Sequence, residues 1–257
     1  MLSSLMIFVM RYYRFAPNLH ISNDPRFLNY NQTIVQGLLS LVDVNFSHYL
    51  HTQPFNSTDC YITYSEDCPK CCSMGDNKHF IFLKVYGDYW CRWVYQFAHE
   101  YCHHLINGTF TGEISGLIWF EETICELSSM CNLYTIYLRW KDSKDMTKSQ
   151  YAPAFQNYLI ELLNEAPQLS HFATQPGWLQ SWNAILSEQT YHRDRYKVIA
   201  SKMLPLFLDN TNLWKIILHF GDMRRWQSLE ELFVHLHTMA DNSYSVSLQK
   251  LQRVLFS

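Results

Sequence analysis

The sequence predicts an α+β fold: a small sheet with helices in the first half of the chain and helices alone in the second. Three observations predict it. Residues 60–64 and 80–86 are short β-branched and aromatic runs separated by Ser, Asp, Cys, Pro and Gly, the pattern of two strands with a long loop between them. Apolar residues recur at helical spacing over residues 33–44, 90–106 and 119–140,. From residue 151 onward the apolar patterns are helical, with no convincing strand,.

Taken in order, the first thirty residues alternate short apolar stretches with Pro17, Asn18, Asn23, Asp24 and Pro25, which predicts a strand or an ordered arm closed by turns. A helix follows, on Ile34, Val35, Leu38, Leu39 and Val42. After Gly87, Asp88 has the side chain of an N-cap. An apolar stripe of Trp90, Trp93, Val94, Phe97, Tyr101 and Leu105 then runs to the stop signal Asn107-Gly108,. Ile124, Leu127, Tyr134 and Leu138 mark the next helix. Residues 141–150 are charged and nearly devoid of apolar side chains, so they are the expected linker between residues 1–140, an N-terminal α/β unit, and residues 151–257, a helical C-terminal unit. Residues 151–207 and 213–255 predict four or five amphipathic helices.

Composition narrows the function. With 20 basic and 23 acidic residues among 257, the chain has no reservoir of cations for a phosphate backbone, and nucleic acid is excluded as an expected partner. The apolar run at residues 5–10 is too short to span a bilayer and lacks the flanks of a secretory signal, so a cytoplasmic protein with no membrane partner is expected. The sequons at Asn31, Asn45, Asn56 and Asn107 are then chance matches. An aromatic content of 16% predicts an aromatic-rich core or cleft. Cys102, Cys125 and Cys131 fall in helical patterns and read as small buried hydrophobes. Cys60, Cys68, Cys71 and Cys72 differ, because Cys68-Pro69-Lys70-Cys71 has the spacing of a metal knuckle,. It lacks a second such pair, so free thiols are expected, with a structural zinc or a disulfide as the alternatives.

The chemistry is concentrated at His99-Glu100-Tyr101-Cys102-His103. Spacing of i, i+4 on a helix puts both imidazoles on one face, where they can ligate one ion. Glu100, next to the first ligand, can reach a water bound to that ion without being a ligand itself, the position of a general base. A hydrolytic zinc site needs a third protein ligand and an open position, and Glu122 follows on the next helix after 18 intervening residues. Glu126, one turn on, is placed to accept a hydrogen bond from the non-ligating nitrogen of His99. His104 points off the ligand face and reads as a polar helix residue; Glu113 reads as a loop residue.

His99-Glu100-x-x-His103, then 18 residues, then Trp119-Phe120-Glu121-Glu122-x-x-x-Glu126, resembles the gluzincin metallopeptidases, the group of the thermolysin-like proteases and the zinc aminopeptidases. The resemblance covers residues 80–140. It implies a zincin-like core, bound Zn2+, a peptide or protein substrate, and a strand at residues 80–86 forming the edge above the cleft. It also implies an oxyanion donor from the C-terminal half, for which Tyr196 is the first choice, with His192 and Tyr191 behind it. The sequence departs from the pattern in two places. Glu121 stands where the aminopeptidases carry Asn, which leaves Glu121 beside Glu122 as an alternative ligand, although Glu122 alone pairs with Glu126 at i+4. The Gly-x-Met-Glu-Asn motif that grips a free amino terminus is absent, which favours an endopeptidase. The alternative to a peptidase is a catalytically degenerate zincin-like binding protein.

Overall fold

The computed structural model describes residues 10–50, 58–73, 75, 77–107, 117–188, 192–225 and 228–256. The N-terminal arm forms a hairpin of β1 (Tyr12–Ala16) and β2 (Leu19–Ser22). A short 3-10 turn, Pro25–Phe27, leads into α1 (Gln32–Leu50), which carries the chain to β3 (Asp59–Tyr64), parallel to β2. β4 (Lys70–Ser73) then runs antiparallel to β5 (Lys78–Leu83), and β5 is parallel to β3. The turn between β4 and β5 holds Gly75 at φ 75° and Asn77 at φ 54°, left-handed conformations that glycine and asparagine adopt most readily.

Among the described residues the sheet is five-stranded in the order β1-β2-β3-β5-β4, which corrects two expectations. The stretch between the two predicted strands is not all loop, since it contains β4. Consequently residues 80–86 do not supply the edge: β5 is interior, and β4 is the edge strand beside the site. Period-2 alternation sorts the two faces. Cys60, Ile62, Ile81 and Leu83 are buried against the helices, while Tyr61 and Phe80 stack on the other face with ring centroids 5.2 Å apart.

Of two long helices, α2 (Trp90–Asn107) packs against β4 and β5, and α3 (Ile118–Lys141) packs on α2. The Asp88 carboxylate accepts from the Asn31 backbone N–H at 2.8 Å and from the Trp90 indole at 3.1 Å. The predicted N-cap thus ties the start of α1 to the start of α2. Gln96 fastens α2 to the end of β5, accepting from the Lys84 N–H at 2.9 Å and donating to the Lys84 carbonyl at 3.2 Å.

The expected linker at residues 141–150 is corrected as well. Only residues 142–145 separate α3 from α4 (Met146–Asn164), and Asp145 caps α4 by accepting from the Thr147 and Lys148 N–H groups. Its polarity is that of a helix start, not of a spacer. Then come α5 (Pro167–Phe172), α6 (Trp178–Ser187), α7 (Arg193–Asp209), a 3-10 stretch (Thr211–Arg225), α8 (Leu229–Met239) and α9 (Ser245–Phe256). The second half therefore has more and shorter helices than the four or five expected. One apolar cluster runs from Leu19 in β2 to Leu255 in α9, so the sheet and the helical half share a core. Among the described residues, no helix is long and apolar enough to cross a membrane.

Candidate metal and catalytic site

The register of α3 on α2 creates the site. Ser128 Oγ donates to the Ala98 carbonyl and Ser129 Oγ to the Tyr95 carbonyl, each at 2.7 Å. Both serines are fully buried, and their small side chains let the two backbones approach while the hydroxyls set the register. Asn132 extends this seam, accepting from Asn45 Nδ2 of α1 at 2.8 Å. These residues escaped the sequence reading; their only trace there is a run of small polar residues where α3 would otherwise be apolar.

With α3 so placed, Glu122 meets both imidazoles. Its Oε2 lies 3.2 Å from His99 Nε2 and its Oε1 3.4 Å from His103 Nε2. Donor atoms of His99, His103 and Glu122 all lie within 4.8 Å of one another. Two imidazole nitrogens and a carboxylate suit a divalent transition metal, zinc among them. Among the described residues this is the group of His, Cys, Asp or Glu side chains close enough to hold an ion. The adjacent glutamates face different nitrogens: Glu122 meets Nε2 of both rings, whereas Glu121 Oε1 lies 2.8 Å from the opposite nitrogen, His103 Nδ1.

Electrostatics follow from burial and charge. Burial pushes the His103 pKa down, but hydrogen bonds to Glu121 and Glu122 outweigh it and raise the value well above the ordinary one. Burial works to raise Glu122, yet His103 and His99 bring its pKa far below the usual carboxylate range. Glu100 is 5% exposed, and burial raises its pKa against the opposing charges of His99 and His103.

Glu126 does not make the expected hydrogen bond: its Oε1 is 3.9 Å from His99 Nδ1. It accepts instead from the Tyr95 hydroxyl at 2.5 Å and from Arg193 Nε at 2.9 Å. The site opens into a cavity of about 710 Å³ lined by Cys68 to Cys71, Gln96, Glu100, Glu121 and Arg193, among others. Arg193, at the start of α7, lies beside His192 and three residues before Tyr196, in the segment expected to supply an oxyanion donor. Tyr196 is buried at 3% exposure; burial raises its pKa, and the Glu122 charge adds to the rise. His192 precedes α7 with Nε2 buried, and Tyr191 and Glu113 lie outside the described residues.

The remaining predicted positions sort simply. All eight cysteines are free thiols, and Cys71, at the cavity wall, is pushed up to about 12 chiefly by burial. His104 leaves the ligand face as expected, but it is buried: its Nδ1 lies 2.8 Å from Nδ1 of His79 on β5. Scanned against models of known protein families the chain matches none, and a search of curated proteins finds no match.

Proposed function

We propose that this protein is a zinc-dependent peptidase with a zincin-like core, in which His99, His103 and Glu122 hold the metal and Glu100 is the general base. The observation that carries the reading is the convergence of the Glu122 carboxylate on Nε2 of both histidines, beside a buried carboxylate that is not part of the triad and lines the same cavity. Zinc, when bound, supplies Lewis acidity to a water and to the scissile carbonyl.

The chain's own residues divide the remaining work. Glu100, with its pKa raised by burial, takes the proton of the attacking water and returns it to the leaving amine. β4, the edge strand among the described residues, would offer backbone groups to an extended peptide,, which suits a peptide or protein substrate and internal cleavage. From α7, Arg193 lines the cavity and is the donor from which the oxyanion would draw stabilisation,; Tyr196, buried three residues on, is the second candidate.

The test is metal analysis of the purified chain coupled to digestion of an unbiased peptide library. Stoichiometric zinc with chelator-sensitive cleavage supports the reading. Zinc without turnover on any peptide would make it a zincin-like binding protein, and absence of zinc from protein purified and reloaded with it would discard the metal site.

A further inference from the structure

Glu121 and Glu122 are neighbours on α3, and neighbouring side chains on a helix ordinarily diverge by about 100°. Here both reach the same imidazole from opposite sides. Glu122 Oε1 is 3.4 Å from His103 Nε2, and Glu121 Oε1 is 2.8 Å from His103 Nδ1. The two metal histidines are therefore held unequally, because His99 Nδ1 is buried without a hydrogen-bond partner and Glu126 stops at 3.9 Å from it. Glu121 is itself largely withdrawn from solvent, with its side chain 14% exposed, so its bond to the ring is weakly screened.

We infer that Glu121 is a positioning residue, an anionic anchor that holds His103 by Nδ1 and leaves Nε2 as the ligating nitrogen, tightening this chain's grip on its metal. The inference rests on the peptidase reading for the identity of the metal. A carboxylate on the far nitrogen fixes ring orientation and makes the ligating nitrogen more basic. An asparagine at this place, as in the aminopeptidases this stretch resembles, would accept the same bond without the charge. Glu121 thus supplies a charged support to the imidazole that Glu126 does not approach.

The experiment is the zinc dissociation constant of the full chain, by competition with a chromophoric chelator, for the parent, Glu121→Gln, Glu121→Leu and Glu122→Gln. Circular dichroism of each metal-free variant checks the fold, and the visible spectrum of the cobalt-substituted forms reports ligand geometry. Glu121→Leu should bind zinc about 10–100-fold more weakly, with Glu121→Gln intermediate because its amide oxygen still accepts the bond. Their cobalt spectra should keep the parent's ligand count. Unchanged affinity in Glu121→Gln overturns the anionic role, and this isosteric variant decides the matter if Glu121→Leu fails to fold. Loss of the metal in Glu121→Gln with retention in Glu122→Gln overturns it differently, by making Glu121 the ligand. A parent chain that takes up no zinc sinks the peptidase reading itself and the inference with it.

Discussion

Glu126 sits one helical turn beyond Glu122, yet its Oε1 stops 3.9 Å from Nδ1 of His99, beyond hydrogen-bond reach. The carboxylate is held back by other partners. Tyr95 donates to Oε2 at 2.5 Å, Arg193 Nε donates to Oε1 at 2.9 Å, and Arg193 Nη2 donates to the Tyr95 oxygen at 2.7 Å. This three-way contact joins α2, α3 and α7 behind His99 and Glu122, so it couples the helical second half to the candidate metal site.

Replacing Arg193 by Leu should therefore destabilise the metal-free protein by about 1–3 kcal/mol, since a fully buried carboxylate keeps only one donor. Tyr95→Phe should cost about 1 kcal/mol, because the Arg193 contact persists. Urea midpoints of the three proteins check the order, and equal midpoints for parent and Arg193→Leu would refute it.

Glu100→Gln should keep stoichiometric zinc and lower peptide hydrolysis by about 10²–10⁴-fold, the usual contribution of a general base. Glu122→Ala should lose the metal instead. Metal content and turnover measured on the same preparations separate a base from a ligand.

The His79–His104 pair makes stability depend on pH. Burial lowers the pKa of both rings, that of His104 to about 3, with the neighbouring His79 adding to the shift. Below the unfolded value of about 6.5 the unfolded chain binds a proton that folded His104 refuses, so stability should fall as pH drops from there toward 3 and level off below it. Between pH 7 and 5 the metal-free parent should lose about 2 kcal/mol more than His104→Gln, whose amide does not titrate. Denaturation of both proteins at the two pH values is the measurement, and equal losses would show that the pair is not kept neutral.

Ser128→Val should loosen the metal without touching a ligand. It removes the hydroxyl bonded to the Ala98 carbonyl and adds volume at a fully buried contact, which should cost about 1–3 kcal/mol and move Glu122 away from the imidazoles. Zinc affinity should weaken in step with stability; a less stable protein with unaltered affinity would deny this serine its part in placing the site.

What the sequence determined by itself was local. The 3.6-residue period puts His99 and His103 on one face of α2,. That depends only on residues a few positions apart, where backbone geometry leaves little choice. Pairing between distant residues was decided by tertiary structure. β4 is four residues of Lys, Cys, Cys and Ser, with no alternation to announce a strand, and it becomes the edge only by pairing with β5. Asp145 reads as part of a linker until Thr147 and Lys148 donate to it. Glu121 and Glu122 differ in role only because Ser128 and Ser129 set the register of α3 on α2, which turns one carboxylate toward Nε2 of His103 and the other toward Nδ1. Close packing selects such partners from many that local propensity permits equally.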